Sequence, residues 1–324
     1  MPTDHEDDDH EDDAGPAARV LVLTKPSPDA AESARHERVC RQLGALVPAG
    51  VDVRAPGPDP EYAAAVTSLA GPGHRDVVVL GGDGSVHRLL QELHDQQLSG
   101  PDGPVGAVGL VPTGTGNDLA RSAGIPLDAD RAAPFAVTGR PVPRPLLVDD
   151  AGGVVVNAVH AGIAAEATAH AGEVKGLLGR AAYAVGALRA GLTSTGWHLR
   201  VVVDGRTVAD GSRPVLMVTL ALGSSVGGGT RVAPGARPDD GLAEVVVAHA
   251  TSPAARVGFA RDLRRGRHGA RPDVVVERGR EVVVEAVGPR DAFRLSTDGE
   301  VSSGRISRRT WRVEPQAWRL RVPA

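Results

Sequence analysis

The chain has 324 residues, of which 41% are hydrophobic and 23% charged, so it is long enough for one large globular domain or two ordinary ones. Aromatic residues make up only 2%, which argues against a nucleic-acid partner bound by base stacking. A single cysteine, Cys40, excludes a disulfide framework, and the sequence shows neither a signal peptide nor an apolar run long enough to span a membrane, so a cytoplasmic location is expected.

The first 16 residues differ in charge from the rest. Residues 4–13, "DHEDDDHEDD", hold eight acids, so the net charge is −4 for the whole chain but +4 without them. Self-repulsion and the lack of apolar side chains predict a disordered acidic tail over residues 1–16. Loose metal binding by His5 and His10 is the minor alternative for this tail.

Strand and helix patterns alternate over residues 17–145. Short apolar runs predict strands at 18–23, 51–55, 76–80 and 107–111, and helical patterns follow them at 30–46, 61–70, 85–93 and 117–124. This alternation predicts an α/β domain with a parallel sheet covered on both faces. Right-handed crossovers then place the carboxyl ends of the strands at one edge, where ligands of such sheets bind.

The pattern changes near residues 140–150, a proline-rich stretch that ends in a turn. Over residues 146–324 strand patterns follow one another, with helical patterns near 178–192 and 252–265. This succession predicts a second, mostly antiparallel β domain. The last residues of the chain are the part that could pack back on the first domain.

A glycine-rich loop, "GGDGS", joins a predicted strand to a predicted helix. Gly81, Gly82 and Gly84 would let backbone N–H groups approach a ligand, and the helix N-terminus that follows favours an anion such as phosphate. Asp83 would be repelled by a bare phosphate, so its carboxylate predicts a Mg²⁺ ion or a hydroxyl to be activated. A tight turn with a capping aspartate is the alternative.

A second loop of the same kind, "PTGTGNDLAR", follows the next predicted strand. It offers two hydroxyls and two glycines, at Thr113, Gly114, Thr115 and Gly116. Asn117 or Asp118 could cap the helix that begins there. Two phosphate-type loops at one sheet edge together predict a nucleotide site.

Both loops resemble the diacylglycerol-kinase catalytic-domain family, which includes bacterial lipid kinases, sphingosine kinases and ceramide kinases and is distantly similar to NAD kinases. The usual motifs of the family are GGDGT and PxGTxNDxAR. Further along the chain, "VVVNAVHAGIAAEA", "GRAAYAVGAL", "GGGTRVAPGARPDDGLAEVVV" and "LSTDGE" resemble other segments of the family. The resemblance covers roughly residues 18–322 and implies that ATP binds in a cleft between the two domains.

The resemblance implies a catalytic role for the Asp-Gly-Glu segment. Glu300 would be the general base that takes the proton of the acceptor hydroxyl, while Asp298 and Asp83 would hold the Mg²⁺–water network or assist deprotonation. A plain hairpin turn is the alternative interpretation of residues 298–300.

The resemblance also implies a structural metal site at the "DDG" turn. By position, Asp240 would bind the ion together with the backbone oxygens of Arg237 and Leu242. An ordinary acidic turn is an equal alternative.

The nucleotide-binding residues implied by the resemblance come from three loops that follow strands: Lys25, Ser27, Gly81, Gly82, Asp83, Gly84, Ser85, Val86, His87, Thr113, Gly114, Thr115, Gly116, Asn117 and Asp118. The chain departs from the family pattern in two of these loops. Lys25 stands where the family has Asn, and His87 and Arg88 stand where the family has Asn and Glu. Arg88 would either pair with phosphate or be a solvated helix residue, and the second is favoured.

These residues predict a kinase that uses ATP and Mg²⁺ to phosphorylate the hydroxyl of a lipid or lipid-like alcohol. The alternatives are an NAD kinase-like enzyme, a kinase of a non-lipid alcohol, and a nucleotide-binding homologue with little activity. Peripheral contact with the inner face of the membrane is a further expectation, because Arg264, Arg265 and Arg267 cluster in one stretch, although a solvated loop explains that cluster better. The sequence predicts no oligomeric state.

Overall fold

The structure is a computed structural model that describes residues 19–26, 29–57, 59–71, 74–101, 103–163, 165–166 and 195–324. The acidic tail, Ser27 and the helical pattern near 178–192 lie outside the described residues.

The first half of the chain is the predicted α/β domain, and its parallel sheet is confirmed. Strands β1 (Arg19–Leu23), β2 (Val51–Arg54), β3 (His74–Gly81) and β4 (Val108–Pro112) lie parallel in the order β2-β1-β3-β4. The helices between and after them are α1 (Ala30–Leu46), α2 (Asp59–Thr67), α3 (Asp83–Asp95), α4 (Asp118–Ser122) and α5 (Ala129–Thr138). Helix α3 buries its apolar stripe, Val86, Leu89, Leu90 and Leu93, against the sheet.

Helix α5 has no counterpart among the predicted elements. Pro134 lies inside the helix and Gly139 follows it, so the segment is easily taken for a loop. Its small residues Ala132, Ala133 and Ala136 are nevertheless buried at helical spacing. A Cβ at Gly109 of β4 would lie 2.1 Å from the backbone oxygen of Ala136, so α5 packs on the sheet at backbone distance.

The second half is antiparallel β structure, as predicted. Its strands are β5 (Arg140–Asp149), β6 (Val154–Val155), β7 (Ala158–Gly162), β8 (Leu199–Val203), β9 (Arg206–Asp210), β10 (Met217–Ala221), β11 (Ala243–Ala248), β12 (Val274–Gly279), β13 (Glu281–Ala286), β14 (Leu295–Thr297), β15 (Glu300–Val301) and β16 (Arg308–Val322). Helix α6 (Pro253–Arg264) lies between β11 and β12 in chain order and buries Phe259 in a core cluster. Among the described residues, no helix is both long and apolar enough to cross a membrane.

The strands form two sheets. One sheet runs β2-β1-β3-β4-β16-β13-β8-β9, with β5 on β16, and the other runs β12-β11-β10-β7-β14-β15. Strand β16 therefore pairs with the first domain through β4 and with the second through β13. It also supplies both cores: Trp318 and Leu320 lie in the core of the parallel sheet, and Trp311 and Val313 lie between the two sheets.

Candidate active site

The two glycine loops lie against each other at the carboxyl edge of the parallel sheet. The N–H of Thr113 donates to the backbone oxygen of Gly81 over 2.9 Å. A Cβ at Gly82 would lie 2.9 Å from Cα of Gly114, and a Cβ at Gly114 would lie 2.6 Å from Cα of Gly82. Loop-to-loop packing thus requires these two glycines, before any ligand is considered.

Gly84 has a different environment. A Cβ at this position would meet nothing within 4 Å, so packing does not require glycine here. Its N–H lies in the first turn of α3, where helical N–H groups have no intrahelical partner. Neither this group nor the N–H groups of Thr115 and Gly116 donate a hydrogen bond within the described parts of the chain. The two loops therefore present several free donors, of which the one at Gly84 lies beside open space.

Asp83 connects the two loops. Its carboxylate accepts the backbone N–H of Asp118 and that of Leu119, both over 3.0 Å, and so caps the short helix α4. Burial raises the pKa of Asp83; the two N–H groups lower it in part, and the charges of Asp118 and Asp298 raise it further. Two hydrogen bonds occupy about half of the lone pairs of a carboxylate, so Asp83 keeps acceptor capacity.

Asp118 joins the first domain to the second. Its carboxylate accepts the N–H groups of Gly228 and Gly229 over 2.8 and 2.9 Å and the hydroxyl of Ser225 over 3.0 Å. Gly228 and Gly229 both have positive φ, a conformation in which successive N–H groups converge on an anion. The carboxylate thus binds the glycine turn of the second domain, and a role of Asp118 at the nucleotide stays a prediction.

Asp298 makes the reverse connection. Its Oδ1 accepts the N–H groups of Asn157 and Ala158, and its Oδ2 accepts the N–H of Val156 and bonds Nδ1 of His87 over 2.9 Å. Three N–H groups at residues 156–158 thus converge on one carboxylate, at the point that separates β6 from β7. Because these four partners use all the acceptor positions of the carboxylate, Asp298 has no lone pair left for a metal ion.

The Asp-Gly-Glu segment is a two-residue hairpin between β14 and β15. Asp298 and Gly299 both have positive φ, at 48° and 93°, which is the geometry of a type I′ turn. Glu300 follows directly and is exposed, and its side chain makes no hydrogen bond or ion pair within the part of the chain that the structure describes. The hairpin and the catalytic interpretations of this segment are therefore compatible.

His87 lies beside this hairpin, on the second turn of α3. Burial lowers its pKa, but the hydrogen bond and charge of Asp298, with the charge of Glu300, outweigh burial, so the net shift is upward. The imidazole is thus directed to Asp298, and a role of His87 at the nucleotide stays a prediction.

Arg88 is directed away from both loops, toward α2. Its guanidinium lies 3.9 Å from the ring centroid of Tyr62 and donates to the backbone oxygen of Gly57 and to Asp59. This cation–π contact and these hydrogen bonds hold the segment after β2 in place. Arg88 is therefore neither a phosphate ligand nor a purely solvated residue.

The remaining predicted nucleotide residues differ in what they can offer. The side chain of Val86 is in the core and its N–H donates to Gly82, so neither group is free for a nucleotide. Ser85 and Asn117 are buried and carry oxygens without a partner, Oγ and Oδ1, while the Asn117 amide donates to Gly114. Lys25 is exposed at the end of β1.

The predicted structural metal site contains an arginine. Asp240 forms an ion pair with the guanidinium of Arg278 through Oδ2, and its Oδ1 accepts the N–H of Leu242 over 3.1 Å. The backbone oxygen of Arg237 accepts the N–H of Asp240. In the described residues, His, Cys, Asp and Glu form no cluster of three or more that could hold a metal ion. The residues at this turn therefore do not fit a divalent cation, since Arg278 supplies the positive charge.

Two connections of this cleft were not among the predicted site residues. The glycine turn at 227–229 binds Asp118, and Gln91 on α3 donates to the backbone oxygen of Gly152 and accepts the N–H of Val154. The "GGG" triplet was a visible signal of the first connection. Gln91 has no such signal, since a polar residue on an amphipathic helix is normally solvated.

Comparison with known proteins identifies the family of both halves of the chain. Residues 19–146 match the model of the diacylglycerol kinase catalytic domain, and residues 157–322 match that of the YegS C-terminal NAD kinase beta sandwich-like domain. A protein of Pseudomonas aeruginosa named "Probable lipid kinase YegS-like" is 31% identical over 300 residues, covering 90% of this chain and 92% of that protein. A protein of the same name from Pseudomonas savastanoi is 30% identical over 256 residues, covering 78% of this chain and 77% of that protein.

The fold agrees as well. The crystal structure of a diacylglycerol kinase from Bacillus anthracis superposes with a TM-score of 0.72 over 94% of this chain and 96% of that one, at 19% sequence identity. The two matched domains, in this order, define the class as a two-domain kinase. The chain belongs to the diacylglycerol kinase catalytic-domain family, and the resemblance predicted from its two loops is confirmed.

Proposed function

We propose that this kinase uses Mg²⁺ and transfers the γ-phosphate of ATP to the hydroxyl of a lipid or lipid-like alcohol. Glu300 is the observation that carries the proposal. Asp118 and Asp298 use their carboxylates to accept backbone N–H groups and, for Asp298, to bind His87, whereas the side chain of Glu300 is exposed at the end of the same hairpin and has no hydrogen-bond partner in the described residues. It is thus the carboxylate available to take a proton from an incoming hydroxyl.

The residues present fit a nucleotide and its metal ion. The free N–H groups of Gly84, Thr115 and Gly116 suit phosphate oxygens, and the start of α3 adds the positive end of a helix dipole. The acids near these loops would repel a triphosphate on its own, so Mg²⁺, when bound, supplies the charge neutralisation that phosphoryl transfer needs. Asp83 and Glu300, which keep free lone pairs, are the residues that would face the ion.

The glycine loops, Asp118 and Glu300 would have different roles in this reaction. The two loops hold the phosphates in line, and the bonds of Asp118 to Gly228 and Gly229 keep the second domain at a fixed distance from them. Glu300 accepts the proton of the acceptor hydroxyl as the hydroxyl oxygen attacks the γ-phosphorus, and the bond from that phosphorus to the β–γ bridging oxygen breaks to release ADP. The lipid character of the acceptor rests on the family and on the names of the relatives, and the alternatives of NAD or a non-lipid alcohol are separated by experiment.

The test is transfer of radiolabelled phosphate from ATP with Mg²⁺ to a panel of diacylglycerol, sphingoid base, ceramide, polyprenol, a short polar alcohol and NAD. We expect product with a lipid alcohol and a loss of 10²-fold or more in kcat for Glu300→Gln, as for removal of a general base. Glu314→Gln, an exposed acid on β16, is the matched control and should retain activity. Transfer to NAD alone would refute the lipid acceptor, and full activity in Glu300→Gln would remove the base.

A further inference from the structure

His87 and the phosphate loop lie on one face of α3. Gly84, with its free N–H and open surroundings, precedes His87 by three residues, and Gln91, which binds the backbone of the second domain, follows four residues later. Residues at these spacings line one side of a helix. The cleft-facing side of α3 thus carries, in order, the phosphate loop, a contact to the catalytic hairpin and a contact to the second domain.

His87 is the contact between this helix and the hairpin. Its side chain is 15% exposed and that of Asp298 only 2%, so the 2.9 Å bond between Nδ1 and Oδ2 is shielded from water. The other three bonds of Asp298 come from the backbone of its own domain. Within the described residues, His87 is therefore the side chain of the first domain that fixes the hairpin.

The position of Asp298 determines that of Glu300. The two residues are separated only by Gly299 in a two-residue turn, and Thr297 pairs with Glu300 directly across the hairpin. Such a turn has little internal freedom. A displacement of Asp298 relative to α3 would therefore move the Glu300 carboxylate relative to the phosphate loop, and small misplacements of reacting groups cost large factors in rate.

We propose that His87 is a positioning residue: by donating Nδ1–H to Asp298, it sets the distance between the phosphate loop on α3 and the proton-accepting Glu300. The inference rests on the proposed function for its rate consequence. It differs from a role at the nucleotide, because the loss of His87 should disturb the hairpin and spare nucleotide binding. A side chain with a donor at the same distance from Cβ, as in Asn, should serve in its place.

The test compares His87→Leu and His87→Asn in the full chain. For His87→Leu we expect kcat to fall at least tenfold while the dissociation constant for ATP, titrated without acceptor, changes less than threefold. His87→Asn should recover kcat to within about threefold of the wild type. His94→Leu, two turns further along α3, is the matched control and should leave both quantities unchanged.

Hydrogen–deuterium exchange of residues 293–302 gives a second readout that needs no turnover. His87→Leu should raise exchange in this segment, and His87→Asn should not. The inference would be overturned if exchange and kcat were unchanged in His87→Leu. It would also be overturned if ATP affinity fell as much as kcat in that variant, or if His87→Asn restored neither kcat nor exchange. A wild type that transfers phosphate to none of the acceptors refutes the proposed function instead, and exchange alone then decides the role of His87.

Discussion

Carboxylates near the candidate site serve mainly to hold the protein together. Asp118 binds backbone N–H groups of the second domain, Asp298 binds backbone N–H groups of its own domain and His87 of the first, and Asp83 caps α4. Each carboxylate accepts hydrogen bonds from buried N–H groups. Without an acceptor, each such group would destabilise the protein by about 1–3 kcal/mol. The reactive part of the site is thereby reduced to a few groups that the fold leaves unused, chiefly Glu300 and the N–H of Gly84.

Gly84 allows a test of the phosphate site that is separate from stability. Because its Cβ would meet nothing within 4 Å and its φ is not positive, Gly84→Ala should be tolerated, and the higher helix propensity of Ala should raise the free energy of unfolding by up to about 1 kcal/mol. The same methyl group would occupy the space beside the free N–H groups, so ATP affinity should fall about tenfold or more. Urea unfolding and ATP titration measure the two effects.

The control for this variant is Gly304→Ala, which also meets open space but lies in the turn after β15. It should change neither stability nor ATP affinity appreciably. ATP affinity that stays at the wild-type value in Gly84→Ala would mean that the phosphates bind elsewhere.

His160 on β7 gives stability a defined pH dependence. Its Nδ1 bonds the hydroxyl of Thr219 over 2.8 Å, and burial lowers its pKa to about 4, the charge of Asp298 opposing the shift. Between its ordinary pKa and about 4, the unfolded chain binds a proton that the folded protein excludes. The resulting contribution to the free energy of unfolding is fully present above the ordinary pKa of histidine. It is lost as pH falls toward 4, and the loss is at most about 3 kcal/mol.

The measurement is the free energy of unfolding in urea from pH 7 to pH 4. His160→Gln keeps a polar contact to Thr219 but cannot titrate, so its stability should fall less steeply with decreasing pH than that of the wild type. His94→Gln, on α3, should follow the wild type. Parallel curves for the wild type and His160→Gln would show that His160 is protonated as readily in the folded protein as in the unfolded one.

Among the elements, the turn before β11 is stabilised by Arg278. This residue of β12 forms an ion pair with Asp240 and lies opposite Glu244 of β11. Burial raises the pKa of Glu244, and the charge of Arg278 lowers it in part, so the net shift is upward. We therefore expect EDTA, and millimolar Mg²⁺ or Ca²⁺, to leave the melting temperature of the wild type unchanged. Arg278→Gln should lower the free energy of unfolding by about 1–3 kcal/mol, because Asp240 and Glu244 both lose their positively charged neighbour.

In that variant, Ca²⁺ should restore part of the loss, since the carboxylate and nearby backbone oxygens become available to a hard cation. Arg206→Gln is the matched control, because Arg206 pairs with Glu277 at the exposed surface, where an ion pair contributes about 0–1 kcal/mol. A wild-type melting temperature that falls in EDTA would contradict this account and support the metal site.

The elements also show what the sequence could and could not predict. Apolar runs and glycine loops were sufficient for β1, β3, β4 and α3, because local pattern and tertiary packing agree there. Helix α5 was missed because Pro134 and its alanines carry a weak local signal, and what holds the helix is its close contact with Gly109. The bonds from Asp118 to Gly228 and from His87 to Asp298 span more than a hundred residues, and no spacing rule reveals them.

At the scale of the whole molecule, β16 connects the two halves through strand pairing and through its side chains. It carries Trp311 into the core between the sheets and Trp318 into the core of the parallel sheet. Loss of this strand would open both cores, so we expect a single urea transition for the two halves.

Tryptophan emission can follow each core separately, since Trp197 also lies between the two sheets. The variant Trp197→Phe/Trp311→Phe keeps only Trp318, and Trp318→Phe keeps the other two. In each variant the fluorescence midpoint should coincide with that of far-UV circular dichroism, which serves as the internal control. Two separated midpoints would show that the halves unfold independently despite the shared strand.

The position of β16 also has a consequence for biosynthesis. Val108 of β4 pairs with Leu320 of β16, so β4 is translated long before this neighbouring strand. Strands β5 and β13 are also translated before β16, with which they pair. The nascent chain therefore carries an open sheet edge through translation of the entire second half. Unpaired strand edges recruit other strands, which makes this interval, rather than the finished protein, the stage most exposed to aggregation.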